Sequence, residues 1–383
     1  MSAQRFYIPT EIIQGVGCFA QLGVVTRRYG ERALLVSGRQ AMRVSGTLAQ
    51  AQTLLQQAGV TVSVYDRVSG EPVLVLVEEA LAQARAERCQ VIVGLGGGSA
   101  MDVAKAVAGL LPLPGPVAEY HAGRRLEGPG IPFIAVPTTA GTGAEVSNNA
   151  VLTDPVRGIK TSIRSDGWYA RVALVDPALT LGVPPGVTAA SGADALCQAI
   201  EAYVSIGAMP ITDALCQEAV RLIGRSLPRA YAHGDDLTAR ADMLYGSLMA
   251  GMSLTTARLG AVHGMAHPLG YRYRIPHGVV CGLLLPYVMA YNADYAVGKY
   301  ARVAELLGVD TRGRSEREMA QHAAEKVREL MREVGVPLHL RPFGVSQADW
   351  PAIIAESLTS SSLRHNPRPF QEADVQAILE QAM

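Results

Sequence analysis

In the first half of the chain, short apolar runs alternate with stretches of helical spacing. ALLVS (33–37) is a compact apolar run closed by Gly38, and TVSVY (61–65) is β-branched and aromatic. Between them, residues 46–58 carry helical spacing and stop at Gly59. Residues 73–87 read as a helix with Glu78, Glu79, Arg85 and Arg88 toward solvent. VIVGLGGGS then leads into a helix from about 100 to 111, and PFIAVPTT (132–139) and VALVD (172–176) read as further buried strands. Strands separated by helices predict a parallel sheet with crossover helices.

After about residue 185 the strand pattern ends. Helical spacing covers 188–205, 210–232, 237–257, 278–293, 297–307 and 314–334. DPALTLGVPPG (176–186), with its prolines and glycines, suits a boundary. The expected architecture is therefore an α/β domain over 1–183 and an all-α domain over 184–383. A cleft between two such domains is a favoured place for a small-molecule site.

Composition narrows the classes. Lys+Arg and Asp+Glu are 34 each in 383 residues, so no global field draws nucleic acid or anionic lipid. The five cysteines are scattered with no C-x-x-C pair, which speaks against a disulfide framework or a zinc ribbon. No basic n-region with an apolar h-region opens the chain, and no run reaches the ~18 apolar residues of a membrane span. The expectation is a cytoplasmic protein with neither nucleic-acid nor membrane partners.

Two loops suggest a bound polar ligand, the first of them a phosphate. In VIVGLGGGSAMDVAKAV (91–107) an apolar strand ends in glycines and Ser99 opens a helix, with Asp102 three residues on, close to a capping box. Glycines admit close approach of a ligand, and free N–H groups at a helix start attract phosphate. The G-x-G-x-x-G fingerprint fails at its last position, Ser99, and no P-loop lysine follows; a plain strand-to-helix turn is the alternative. VPTTAGTGAEVSNNAVLTD (136–154) places Thr138, Thr139 and Thr142 after a buried strand, which suits either a polar ligand or an ordinary loop.

In the second half, Asp194 and Gln198 are i, i+4 within SGADALCQAIEAY, and His263, His267 and His277 fall within AVHGMAHPLGYRYRIPHG. A carboxylate with imidazoles suits Zn²⁺ or Fe²⁺. Each residue taken singly also suits a hydrogen-bonded core position or a helix cap.

Taken in order, YIPTEIIQGVG, GGGSAMDVAKA, VPTTAGTGAEVS, VALVDPALTLGVPP, DALCQAIEAYVS, GAVHGMAHPLG, IPHG and NPRPFQEADV span nearly the whole chain. The sequence resembles the iron-dependent, group III alcohol dehydrogenases, with a dehydroquinate synthase-like architecture. The resemblance implies a dinucleotide-binding first domain, a helical metal and substrate domain, and reversible hydride transfer between a small alcohol or aldehyde and NAD(P). It implies that Gly97, Gly98 and Ser99 hold the pyrophosphate, with Asp102 beside them. Thr138, Thr139, Thr142 and Val151 would line the cofactor cleft, and Lys160 and Leu179 would lie near ribose and nicotinamide. Asp194, His263 and His277 fall on metal-ligand positions, with Asp194 and His277 thereby catalytic, and His267 on a proton-relay position. A homodimer or higher homo-oligomer is implied in the same way.

Two departures from the family pattern stand out. Where the family has histidine four residues after the ligand aspartate, this chain has Gln198. Its oxygen completes a looser site, or it orients a metal-bound water, or the metal is weakly held or lost. Where a ribose-binding aspartate often follows the first strand, this chain has Gly38 and then Arg39, a change that favours NADP(H) over NAD(H). A metal-dependent lyase on the same fold and a non-enzymatic cofactor-binding protein with a decayed site are the competing readings. The substrate is not named by these motifs; Trp168, Tyr271 and Tyr273 are candidate wall residues, with ordinary packing as the alternative.

Overall fold

The computed structural model describes residues 3–383 and divides into two compact units. One comprises Ile8–Thr139 and Gly143–Gly182. The other comprises Val183–Met383 with Ala140–Thr142 and the described residues up to Tyr7.

The first unit is built on eight strands: β1 (Glu11–Gln14), β2 (Arg32–Gly38), β3 (Thr61–Val68), β4 (Val91–Gly96), β5 (Phe133–Pro137), β6 (Asn149–Asp154), β7 (Ile159–Arg164) and β8 (Val172–Val175). Six of them form one parallel sheet in the order β1-β8-β5-β4-β2-β3. Six helices accompany them: α1 (Leu22–Arg27), α2 (Ala41–Val44), α3 (Thr47–Gln57), α4 (Leu74–Ala86), α5 (Gly98–Leu110) and α6 (Val117–His121). Every residue of β4, β5 and β8 is buried, because helices cover both faces of the sheet; hence the unbroken apolar runs in the sequence. The sheet's edge strand β1 carries an exposed residue at each end.

The chain passes from β2 outward to β3, then returns to the other side of β2 as β4 and continues to β5. The direction of winding thus reverses between β2 and β4. Such a switch opens a crevice beyond the carboxyl ends of the two strands, where doubly wound sheets bind ligands. β6 and β7 form a separate antiparallel hairpin that the sequence pattern did not predict.

Trp168 is a packing residue rather than a pocket wall. Its indole lies so close under α5 that a Cβ on Gly109 would meet it at 2.0 Å. Likewise, Glu78 and Arg85 are not simply solvated: the Glu78 carboxylate accepts from the Val117 amide, and Arg85 donates to the Leu113 carbonyl at 2.8 Å.

The second unit is helical: α7 (Pro185–Val204), α8 (Pro210–Ala232), α9 (Leu237–Ala257), α10 (Ala261–Tyr273), α11 (His277–Asn292), α12 (Val297–Leu306), α13 (Glu316–Glu333), α14 (Trp350–Thr359) and α15 (Glu372–Ala382). The predicted helices are present, and α10, α14 and α15 are added to them. No strand follows Val175 among the described residues. Pro185 at the first turn of α7 loses no helical bond, since that position has no intrahelical acceptor. No helix is long and apolar enough to cross a membrane.

Candidate metal centre and phosphate loop

Helix α7 carries Asp194, Cys197, Gln198 and Glu201 at i, i+3, i+4 and i+7, so one face of an otherwise apolar helix presents four buried polar groups. Helix α11 approaches that face through glycines. A Cβ on Gly278 would lie 2.0 Å from the Ala190 carbonyl oxygen, and one on Gly282 would lie 2.8 Å from Ala193 Cβ. Close backbone approach carries His277 and, one turn on, Cys281 toward Asp194.

Asp194 Oδ1 lies 3.4 Å from His263 Nε2 and 3.7 Å from His277 Nε2. Cys281 Sγ lies 3.9 Å from His263 Nε2 and 3.6 Å from His277 Nε2. One donor atom from each of Asp194, His263, His277 and Cys281 falls within 4.8 Å of every other. The side chain of Asp194 is 4% exposed and that of His277 25%, so the group is closed on one side and reachable on the other. Asp194 Oδ1 is buried and makes no hydrogen bond, an arrangement that costs free energy unless a cation satisfies it. The donor chemistry and this orphaned oxygen fit a divalent ion.

Gln198 faces Asp194 directly. Its amide nitrogen donates to Asp194 Oδ2 at 2.9 Å, while its own Oε1 is buried without a hydrogen bond. The carboxylate is thereby fixed, one oxygen held by the amide and the other turned toward the imidazoles.

Behind His263 stands Glu201, which the sequence pattern did not single out. His263 Nδ1 donates to Glu201 Oε2 at 2.6 Å, and Glu201 Oε1 accepts from the Val262 amide at 2.7 Å. One carboxylate thus satisfies an orphan N–H at the start of α10 and presents Nε2 of His263, with its lone pair, toward Asp194. The neighbouring Ala261 amide donates to Asn366 Oδ1 at 3.2 Å. Asn366 and Asn292 also exchange side-chain amide bonds of 2.9 Å in both directions. Through Asn366 the NPRP segment pins the start of α10 and the end of α11. Cys197 belongs to the Nδ1 side of the ring, its Sγ 3.8 Å from that nitrogen.

The electrostatics are those of a desolvated cluster. Burial pushes the His263 imidazolium down, but the charges of Cys281 and Glu201 and the Asp194 carboxylate outweigh it and hold it well above the ordinary histidine value. His277 is raised in the same way by Cys281 and Asp194 against burial. Burial pushes the Cys281 thiol up, yet Cys197 and the two histidines overcome that and hold it well below its ordinary value. Cys197 goes the other way, raised by burial and by its hydrogen bond to Cys281. His267 stacks on His277, ring centroids 5.3 Å apart, at the more open side of the group.

The glycine loop lies at the switch point of the first unit. Gly96 ends β4 with φ of 151°, a conformation suited to glycine, and its carbonyl accepts from the Thr138 amide at 2.9 Å. A Cβ on Gly97 would sit 3.1 Å from Thr139 Oγ1, and one on Gly96 would lie 3.8 Å from the Gly38 amide nitrogen. Gly38, Gly96, Gly97, Thr138 and Thr139 therefore meet at the carboxyl ends of β2, β4 and β5.

The expected capping box is absent. Gly97, not Ser99, is the N-cap of α5, and no side chain caps the helix. Glycine needs no side-chain geometry there, so the helix starts earlier and leaves the first N–H groups for another acceptor. Asp102 instead accepts from the Val151 amide at 3.2 Å and ties β6 to α5. Burial, against the pull of Lys105, lifts its acid to about 6. Lys105 is wholly buried and donates to the carbonyls of Ala144 and Asn149 and to Ser147 Oγ at 2.7, 2.9 and 2.9 Å.

Lys160, on β7, pairs with Glu71 at 2.6 Å and lies near enough to Asp102 for its charge to favour that carboxylate, and Leu179 packs on the core of the sheet unit. Thr142 is exposed and counts with the helical unit. Arg39 follows Gly38, exposed and without an ion pair among the described residues; its amide donates to the Val68 carbonyl at 2.9 Å. Tyr273 donates to Asp349 at 2.5 Å, and Tyr271 is exposed.

Residues 9–177 match the iron-containing alcohol dehydrogenase family, and residues 188–383 match the Fe-containing alcohol dehydrogenase family, C-terminal. The chain belongs to the iron-containing alcohol dehydrogenases. It is 39% identical to 1,3-propanediol dehydrogenase of Klebsiella pneumoniae over 92% of this chain and 94% of that one. It is 39% identical to long-chain-alcohol dehydrogenase 1 of Geobacillus thermodenitrificans (strain NG80-2), covering 100% and 97%. A crystal structure of 1,3-propanediol oxidoreductase superposes with a TM-score of 0.96 at 38% identity, covering both chains completely. As a member of the iron-containing alcohol dehydrogenases the chain is an oxidoreductase, and the lyase and non-enzymatic readings give way. Membership implies a nicotinamide cofactor and a divalent metal, for which Asp194, His263 and His277 are the fitting donors.

Proposed function

We propose that this chain reduces a small aldehyde, or oxidises the corresponding alcohol, with NADP(H) as the hydride carrier. The observation that carries the reading is the buried, hydrogen-bond-free Asp194 Oδ1 turned toward His263 Nε2 and His277 Nε2. Asp194, His263 and His277 would hold the ion, and a divalent ion there would supply Lewis acidity toward the substrate's C–O bond. Gln198 keeps the Asp194 carboxylate in one orientation through its 2.9 Å bond, and Glu201 keeps His263 in one tautomer. His267, stacked on His277, carries the proton between substrate oxygen and water.

In the first unit, Gly97, Gly98 and Ser99 offer the free N–H groups of α5 to the pyrophosphate, with Thr138 and Thr139 alongside. Gly38 removes the carboxylate that would repel a 2′-phosphate, and Arg39 adds an exposed guanidinium next to it.

The test is aldehyde reduction with NADPH by the metal-loaded protein and by Asp194→Ala and His277→Ala. Both variants are expected to lose turnover while still binding the dinucleotide, followed by quenching of protein fluorescence. Full turnover in both variants overturns the assignment of the centre.

A further inference from the structure

We infer that Cys281 is a fourth metal ligand, so that this chain's centre is an Asp/His/His/Cys site built for zinc rather than for iron. The inference rests on the metal-centre reading above and changes what that centre is.

The geometry carries it. A tetrahedral zinc site has metal–N and metal–O bonds of ~2.0–2.1 Å and a metal–S bond of ~2.3 Å, so its N···O edges are about 3.4 Å and its N···S edges about 3.6 Å. The observed N···O separations are 3.4 and 3.7 Å, and the N···S separations 3.9 and 3.6 Å. Four of the six donor–donor edges thus have about the length of a zinc tetrahedron's, and the other two lie within 4.8 Å. Cys281 is there because it lies one turn beyond His277 on the same face of α11, and because Gly278 and Gly282 let that helix press onto α7.

The neighbouring side chains fit the fourth position less well. Gln198 spends its amide nitrogen on Asp194 Oδ2, and its buried, hydrogen-bond-free Oε1 is a harder donor than the Cys281 sulfur, which stands 3.9 and 3.6 Å from the two imidazole nitrogens. Cys197, the other thiol, lies 3.8 Å from Nδ1 of His263, the nitrogen that Glu201 already bonds, and is hydrogen-bonded to Cys281. Thiolate is a soft donor and shifts a mixed N/O site toward zinc and away from Fe²⁺. Four protein donors would close a zinc site, and zinc held by them would act on a substrate oxygen only with an expanded coordination number, which zinc can accept.

The test uses full-length protein, stripped of metal and reloaded with Co²⁺ without air, with cobalt bound per chain measured alongside the absorption spectrum. A sulfur-to-cobalt charge-transfer band is expected in the unaltered protein and in Cys197→Ser, and its loss in Cys281→Ser. Cobalt bound at one per chain with no such band in the unaltered protein overturns the ligand assignment and leaves the metal centre standing. A band lost in Cys197→Ser and kept in Cys281→Ser overturns it too. Failure of the unaltered protein to bind cobalt removes the centre and this inference with it. Competition between Zn²⁺ and Fe²⁺ gives the second readout: zinc wins in the unaltered protein, and its advantage shrinks in Cys281→Ser.

Discussion

Glu201 Oε2 takes a 2.6 Å hydrogen bond from His263 Nδ1 while its other oxygen caps the first turn of the same histidine's helix. Orientation of the ring and position of its helix therefore depend on one carboxylate. In Glu201→Gln an amide N–H facing Nδ1 would favour the tautomer with its proton on Nε2, the nitrogen that faces Asp194. Metal affinity is expected to fall by about 10–100-fold, read by competition with a chelating dye. An unchanged affinity would mean that the ring is held by packing alone.

Gly278 sets the distance between α7 and α11. Gly278→Ala puts a methyl group 2.0 Å from a backbone oxygen, which no rotamer relieves. The expected cost is about 3 kcal/mol of stability, with weaker metal retention as α11 moves off. Chemical denaturation and metal content measured on the same preparation check both parts.

Glu145 predicts a pH dependence. Burial raises its acid from 4.5 to about 7, against the pull of Lys105, and its Oε1 is buried without a hydrogen bond. A raised acid stabilises the fold fully below its unfolded value, and that contribution is lost as pH rises through the folded value. Glu145→Gln mimics the neutral acid at every pH. It should be more stable than the unaltered protein by roughly 2–3 kcal/mol at pH ~8, the gain fading to nothing below pH ~4.5. Urea unfolding at several pH values measures it, and a gain that grows toward acid would contradict the assignment.

Arg39 predicts cofactor choice. Arg39→Ala should raise the KM for NADPH about tenfold and leave that for NADH nearly unchanged, the loss of one charge-assisted bond. Initial rates with one aldehyde and both cofactors decide it. Equal effects on the two would place Arg39 away from the 2′-phosphate.

Five strands of the sheet were readable, the central ones because burial on both faces demands unbroken apolar runs, as in VIVGLG; the edge strand EIIQ (11–14), exposed at both ends, was not. The hairpin was not: IKTSIR is largely exposed and carries no such run. The Ser99 capping box misled because its sequence signature is right while Gly97, one residue before the helix, needs no side chain to end the strand. At the metal centre the histidines and Asp194 were legible from their spacing. Cys281 and Glu201 were not, although each had a signal. Cys281 is i+4 from His277 and Glu201 is i+7 from Asp194, but cysteines read as scattered singles and a glutamate on a helix reads as surface. What was out of reach is the approach of α11 to α7, which depends on two glycines whose meaning appears only when the helices are packed.

The bond from the Ala261 amide to Asn366 has a consequence for biosynthesis. The donors of the centre lie at 194, 263, 277 and 281, yet the helix carrying His263 is anchored at Ala261 by a residue 105 positions further along. As the chain emerges from the ribosome, all four donors are made well before their anchor. The fully braced centre can exist only after residue 366 has left the exit tunnel, so a chain stalled or cut before that point presents metal-binding side chains on a loosely held frame.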